Sequence, residues 1–475
     1  MWHIYTPYLC TILSVFSCRD KQNTDTVVWQ FTDIALEYGA QDQYKRNRGA
    51  GGADFDGDGD IDILLTNPYE QPTLLLYEGS SFQTADFPTT GTDTAPALAD
   101  FDGDGDVDVY LSCGGWITTC QDMLIRNDGV HNGSIQWTDA TDILHLQDEP
   151  HKERASFGGS WVDWDNDGDL DLHVAVKDLD DCTILGADEP CEETEDFFFE
   201  NNREQGFTNI AFEIGIKSNV HSHQAAWLDY DLDGDMDMFL PVFGANNHLF
   251  ANDGTGHFTD VTETMGSIVQ HPISAFGAVS EDVNHDGYPD LILSSFAVVE
   301  EDMIEEDSMW QFAPEPQRLF INDHGERFIE GTPSMEHINL IQPTMGFQIA
   351  DIDLDGNWDI FLGNGNPLRG YENALISLIP HTRGIEWIDR SATIHTPAPT
   401  DTSLYPTTAT YPYRSHGTVF YDFDGDHDID LYIGNGGAAK LDHLAETNDP
   451  CIPKENPIAF FVMILNEKTI GCKSE

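Results

Sequence analysis

The chain is poor in basic residues: Lys and Arg number 21 against 85 Asp and Glu in 475 residues, a formal net charge of −64. So lopsided a balance argues against nucleic acid and anionic membrane surfaces as partners, and for solubility in a salty or calcium-rich medium. Long apolar runs are also missing. The only candidate, Ile4 to Phe16, is too short to cross a bilayer as a mature helix, so no transmembrane segment is expected. No Ser-His-Asp order, phosphate-cradling glycine loop or metal-binding His helix stands out. Acid pairs recur so often that two neighbouring carboxylates carry no glycosidase signal.

What is abundant is one nine-residue pattern. It reads DFDGDGDID from Asp54 and returns as DFDGDGDVD, DWDNDGDLD, DYDLDGDMD, DVNHDGYPD, DIDLDGNWD and DFDGDHDID. The first, third, fifth and ninth places carry side-chain oxygens, and the seventh can add a main-chain carbonyl. The candidate metal-binding residues are therefore Asp54, Asp56, Asp58, Asp60 and Asp62 in the first loop, and Asp100, Asp102, Asp104, Asp106 and Asp108 in the second. The third has Asp163, Asp165, Asp167, Asp169 and Asp171, and the fourth Asp229, Asp231, Asp233, Asp235 and Asp237. The fifth has Asp282, Asn284, Asp286, Tyr288 and Asp290, the sixth Asp351, Asp353, Asp355, Asn357 and Asp359, and the seventh Asp422, Asp424, Asp426, Asp428 and Asp430. An oxygen-only set of this size on a tightly curled loop selects calcium, up to seven ions. Glycine at the sixth place permits the sharp turn in six copies, whereas the seventh copy has His427 there. The twelfth place is aliphatic, as at Leu65 and Leu111, so the loop is not an EF-hand. It runs into β-branched stretches such as Ile61-Asp62-Ile63-Leu64-Leu65, which read as strands.

An aromatic followed by polar residues opens each unit, as in Phe31-Thr32-Asp33, Phe258-Thr259-Asp260 and Trp387-Ile388-Asp389. A Gly- and Ala-rich strand, the acidic loop and two further strands complete it. Four strands per unit, repeated around a ring, define a β-propeller, which shelters its sheet edges by radial closure. Parallel β-solenoids have a far shorter period. The expected fold is all-β, a seven-bladed β-propeller over residues 27–475, with repeats at about 29–81, 82–136, 137–206, 207–257, 258–327, 328–386 and 387–475. Val27 to Phe31 and Ile458 to Leu465 are expected to complete one shared blade.

Residues 1–22 read as a signal peptide or a lipoprotein signal. Val15-Phe16-Ser17-Cys18 is similar to a bacterial lipobox, so a lipid anchor on Cys18 and plain secretion both stay open. Beyond Cys10 and Cys18, six cysteines form three near pairs, Cys113 with Cys120, Cys182 with Cys191 and Cys451 with Cys472. They read as local disulfides of an extracytoplasmic protein, with free buried thiols as the alternative.

The D-x-D-x-D-G-x-x-D loops resemble those of FG-GAP repeats, as in integrin alpha-subunit propellers. Flanks such as Phe258-Thr259-Asp260-Val261-Thr262 are similar to the VCBS-type repeats of cartilage acidic protein and its bacterial relatives. The resemblance spans about residues 29–440 and implies calcium at the first, third, fifth and ninth loop places. It leaves function open, because such propellers serve adhesion, matrix binding and, at times, catalysis.

The expectation is a secreted or cell-surface, monomeric, calcium-binding propeller that acts in adhesion or binds an extracellular protein or glycan through loops on one face. Asp178 to Asp196, Val298 to Gln317 and Ile394 to Arg414 are the long segments able to form that surface. The alternative is a polysaccharide-active enzyme, a lyase or hydrolase. Arg48, His223 and His416, each six residues ahead of a loop, would then line a site near the central channel, or simply its polar wall.

Overall fold

The computed structural model describes residues 31, 38–40, 49–67, 71–89, 96–112, 121–145, 155–177, 196–216, 222–243, 245–269, 275–296, 315–332, 343–364, 373–382, 384–394, 415–423 and 429–435. The export segment, all eight cysteines, Arg48 and most of the three long segments lie outside them, as do the proposed closing stretches at residues 27–30 and 458–465.

The β-branched and aromatic runs around each acidic loop pair as antiparallel meanders. Blade 1 is β1 (Gly49–Ala53), β2 (Asp62–Thr66), β3 (Thr73–Tyr77) and β4 (Phe82–Ala85). Blade 2 is β5 (Pro96–Ala99), β6 (Asp108–Leu111), β7 (Met123–His131) and β8 (Ser134–Asp139). Blade 3 is β9 (Ala155–Val162), β10 (Asp171–Lys177), β11 (Phe197–Asn201) and β12 (Phe207–Asn209). Blade 4 is β13 (Ala226–Leu228), β14 (Asp237–Leu240), β15 (His248–Asn252) and β16 (Phe258–Asp260). Blade 5 is β17 (Ala275–Glu281), β18 (Asp290–Ser295), β19 (Arg318–Asn322) and β20 (Phe328–Glu330). Blade 6 is β21 (Thr344–Ala350), β22 (Trp358–Asn364), β23 (Ala374–His381) and β24 (Gly384–Asp389).

After blade 6 the described residues form only a two-stranded sheet, β25 (Ser415–Tyr421) with β26 (Asp430–Asn435). The expectation of a seven-bladed propeller is therefore corrected to six four-stranded blades. The reason lies in what the motif counts. Each acidic loop joins only the inner two strands of a sheet, so seven loops guarantee seven inner pairs and say nothing about the outer pairs. The aromatic motifs that open the expected repeats, such as Phe82 and Phe258, head the outermost strand of a sheet. One such repeat therefore straddles two sheets.

Ring closure is physical. Strand β25 lies against β21 on one side and β1 on the other. Gly417 on β25 sits so close to β1 that an added Cβ would meet Gly49 C at 2.6 Å and Ala50 Cβ at 2.7 Å. Apolar residues fill the space between neighbouring sheets. Val162, Trp164 and Phe198 pack with Trp227, Met238 and Phe250 between blades 3 and 4. Ile352, Phe361 and Leu375 meet Phe420, Leu431 and Ile433 between blade 6 and the two-stranded sheet, where Phe31 also packs. Tyr432 and Val419 meet Ile63, Leu65 and Tyr77 of blade 1. Sheet-on-sheet burial of large side chains, about 1.5–3 kcal/mol for each, is what chiefly holds the described sheets together, each being a separate ladder.

Because every sheet is a simple meander, its connections sort onto two faces. The acidic loops follow the first strands and the tight turns follow the third, so these share one face. The second and fourth strands end on the opposite side, and in sequence each of the three long segments follows such a strand end.

Candidate metal centre

Each acidic loop is fixed from below by its second residue. Phe55, Phe101, Trp164, Tyr230, Val283, Ile352 and Phe423 are all buried, so the loop hangs on an apolar plug. The first aspartate then organises the backbone. Asp54 Oδ1 accepts the Gly57 and Asp58 amides at 2.7 and 3.1 Å, and Oδ2 accepts that of Gly59 at 3.0 Å. Asp100, Asp229, Asp282 and Asp351 accept the matching amides of their own loops. The fifth-place carboxylates of Asp58, Asp104, Asp167, Asp233, Asp286 and Asp355 each accept the amide two residues on. Inward amides of this kind draw the carboxylates together.

The sixth-place glycines have φ between 88° and 101°, as their identity predicts. The fourth place is left-handed too, and here sequence reasoning found no signal. Gly57 and Gly103 fill it in two loops, but Asn166, Leu232, His285 and Leu354 adopt φ of 53–61° in four others.

Carboxylates do converge. One oxygen from each of Asp54, Asp56 and Asp58 lies within 4.8 Å of the others, and the same holds for Asp163, Asp165 and Asp167 and for Asp351, Asp353 and Asp355. In the second and fourth loops the ninth residue joins the group: Asp100, Asp102 and Asp108, and Asp229, Asp231 and Asp237. The fifth loop places Asp282, Asn284 and Asp286 on one hydrogen-bonded turn. Of the seventh, Asp422 and Asp430 are described, while Asp424, Asp426, Asp428 and His427 lie outside the described residues. Two seventh-place side chains turn aside from their clusters: Asp169 pairs with Arg203 of the tight turn in its own blade, and Asp235 accepts from Asn166 of the preceding acidic loop at 3.3 Å. Their main-chain carbonyls are the atoms left for a cation.

The ninth aspartate has a second task that its motif does not announce. Asp62, Asp108, Asp171, Asp237, Asp290, Asp359 and Asp430 are at most 2% exposed. Asp237 Oδ2 accepts the Tyr230 amide of its own loop at 3.0 Å, and Oδ1 accepts the Asn252 amide of the third strand at 2.8 Å. Asp62, Asp108 and Asp290 repeat both bonds. Each oxygen keeps a further lone pair for a cation. Burial pushes the carboxyls of Asp62, Asp290 and Asp359 up to about 7, and those of Asp108, Asp171 and Asp237 up to about 8, against the pull of their amide donors. Burial, followed by the charge of Asp58, raises Asp56, and Asp102 and Asp231 are raised in the same way by burial and then by Asp104 and Asp233. The donor set is all oxygen, crowded and electrostatically uncompensated, so these residues fit a hard divalent cation.

Family comparison falls on the same residues. The FG-GAP-like repeat model matches residues 54–111 and 229–293, which run from an acidic loop through its blade to the next second strand. The chain therefore carries FG-GAP-like repeats within its propeller. Among solved structures the propeller is similar to BBS1N in complex with ARL6DN, from a crystal soaked with lead. Identity is 9%, the TM-score is 0.49, and the match covers 94% of this chain and 98% of that one. No curated protein matches the chain.

A second set of residues escaped the sequence reading altogether. Asn201, Asn252 and Asn322 end the third strands of blades 3 to 5, and Asn127 stands at the register shift inside the longer third strand of blade 2. Each sends its side-chain amide to the main-chain carbonyl of the second loop residue in the blade before: Phe55, Phe101, Trp164 and Tyr230, at 2.8–2.9 Å. A recurrent Asn 15 to 32 residues after the ninth aspartate was the available signal.

Of the three channel candidates, only the His223 side chain is described. It packs against Phe157 and Phe276 with ring centroids at 4.8 and 4.4 Å. Both phenylalanines lie six residues ahead of their own loops, so equivalent places in neighbouring blades do converge. Arg48 and the His416 side chain fall outside the described residues.

Proposed function

We propose that this FG-GAP propeller is an extracytoplasmic, calcium-loaded ligand-binding module, acting in adhesion or in capture of an extracellular protein or glycan. The observation that carries the reading is the division of the molecule into two faces. Acidic loops occupy one face, where calcium would fix the inner strand pair of each sheet. In sequence the long segments follow second strands or precede β25, so they leave the ring from the side away from the acidic loops, where a rigid ring would present them without disturbing the metal loops.

Calcium enters this reading as a structural ion. Coordination would replace carboxylate repulsion by attraction in each loop, and the second and ninth residues would pass that order to the blade core. Extracellular calcium modules bind at roughly 10⁻⁴ to 10⁻³ M, so about 1 mM calcium contributes about 1.4 kcal/mol at a site of the tighter kind.

The test is an array of glycans and matrix proteins probed with the full chain in calcium and again in chelator. Calcium-dependent capture of one ligand class supports the proposal. Folded, calcium-loaded protein that captures nothing on either array would count against it.

A further inference from the structure

The third acidic loop differs from the others in what holds its carboxylates. Asp54, Asp100, Asp229, Asp282 and Asp351, the first aspartates of five loops, each accept the fifth-place amide on Oδ1 and the sixth-place amide on Oδ2. In six loops the ninth aspartate also turns Oδ2 to the amide of the second residue, from Asp62 in the first to Asp430 in the seventh. The third loop makes neither arrangement. Asp163 Oδ1 and Asp171 Oδ2 are both shut off from solvent, and among the described residues neither has a hydrogen-bond partner. Asp171 is only 2% exposed, and its Oδ1 alone is satisfied, by the Asn201 amide at 2.8 Å. The amides of Asn166, Asp167 and Gly168 pull on Asp163, and that of Trp164 on Asp171, from outside bonding geometry.

The loop is nevertheless shaped like its neighbours. Asp165 Oδ1 accepts the Asp167 amide at 3.2 Å, Asp167 Oδ1 accepts the Asp169 amide at 2.9 Å, and Gly168 holds a φ of 92°. Oxygens of Asp163, Asp165 and Asp167 lie within 4.8 Å of one another. Burial raises the Asp171 carboxyl, and the charges of Asp165 and Asp167 add to that rise, so its buried oxygen belongs to the same field. A carboxylate oxygen deprived of both water and a donor is costly, and a cation relieves it. Elsewhere amides already stabilise the corresponding oxygens, so an ion gains less by meeting them. The one arginine beside the third loop, Arg203, pairs with Asp169, whose side chain supplies no ligand. In the second loop, by contrast, Arg126 Nε stands 3.8 Å from Asp102 Oδ2, so a third-place ligand already faces a positive charge.

We infer that the third loop is the tightest cation site of the ring, where Asp163, Asp165, Asp167 and Asp171 keep a calcium ion after the other loops have released theirs. The inference rests on the calcium reading above and deepens it, because it makes the loops unequal. Asn252 of the next blade bonds the Trp164 carbonyl of this loop at 2.9 Å, so the last ion would keep blades 3 and 4 joined when calcium is scarce.

The test starts from the full chain loaded in calcium, beside Asp165→Asn and, as control, Asp231→Asn. These change the same exposed third place in the third and fourth loops. Equilibrium dialysis against calcium buffers of falling free concentration counts the ions retained. The parent should keep one ion down to a free concentration at least about tenfold below that at which the others leave. Asp165→Asn should lose that last ion and release the others as the parent does, while Asp231→Asn should keep it. Thermal unfolding at the concentration where one ion remains gives a second readout: parent and Asp231→Asn should each stay above their own values in EGTA, and Asp165→Asn should fall to its own. The parent alone already tests the claim, since ions leaving as one indistinguishable class would overturn it. A last ion that survives in Asp165→Asn, or is lost in Asp231→Asn, would overturn it too while leaving calcium binding intact. A chain that retains no calcium at any concentration would overturn the calcium reading itself, and this inference with it.

Discussion

The side-chain amide of Asn252 donates to the main-chain carbonyl oxygen of Trp164 at 2.9 Å, across 88 residues of sequence and from one blade to the acidic loop of the blade before. The backbone amide of the same asparagine donates to Asp237. One residue therefore ties its own ninth aspartate to the neighbouring loop, and the order of any one loop is shared around the ring.

Truncating that link gives the first prediction. Asn252→Ala leaves the buried Trp164 carbonyl without this donor, an expected loss of about 1–3 kcal/mol. Urea unfolding should show a lower midpoint in calcium and in chelator alike. A midpoint shift seen only in calcium would mean that the asparagine acts through the metal loop instead.

The two tasks of the loop aspartates can be separated. Asp237→Asn places an amide where both oxygens accept backbone N–H groups, so it is expected to cost about 1–3 kcal/mol in either medium. Asp231→Asn alters an exposed carboxylate of the same cluster and should destabilise only when calcium is present. Paired unfolding curves for each variant check this, and identical behaviour of the two would contradict it.

Stability of the chelated protein should depend on pH in an unusual direction. The buried ninth-place carboxyls titrate at about 7 to 8 in the fold against a usual value near 4, so the folded state holds the extra protons. Their stabilising contribution is complete at low pH and is lost as pH rises through 7 to 8. In chelator the unfolding temperature should fall between pH 5.5 and pH 8.5. In calcium, which needs ionised ligands, the increment given by the metal should grow over the same interval. A chelated protein that gains stability toward pH 8.5 would contradict the burial of these groups.

Gly417→Ala tests ring closure. A methyl group there meets the Gly49 and Ala50 backbone of β1, and overpacking of this kind typically costs about 1–3 kcal/mol. Thermal unfolding at the wild-type temperature would mean that the two-stranded sheet does not close against blade 1.

How far the sequence spoke can be judged from these same residues. The loops were legible because alternating aspartates and a sixth-place glycine have one physical use, and the apolar runs after them can only be strands. The same reading gave the all-β repeat architecture. It overcounted the blades because the loop motif lies between inner strands, whereas a fourth strand such as Phe258–Asp260 is set by its own hairpin with the third strand, which the loop motif does not mark. It treated Asp237 as a ligand alone because nothing in the nine-residue pattern marks an oxygen that will also accept the amide of Asn252, 15 residues on. Leu232 and Leu354 in left-handed backbone were invisible for the opposite reason: their composition argues against the conformation they adopt.

The most direct test of the account is thermal unfolding of the full chain in about 1 mM calcium against excess EGTA, at one pH. Occupied loops predict an unfolding temperature that is higher in calcium and climbs with the logarithm of its concentration above saturation, because the ion binds the folded state. Superimposable curves in calcium and in EGTA would contradict the claim that the acidic loops are calcium sites on which the fold depends.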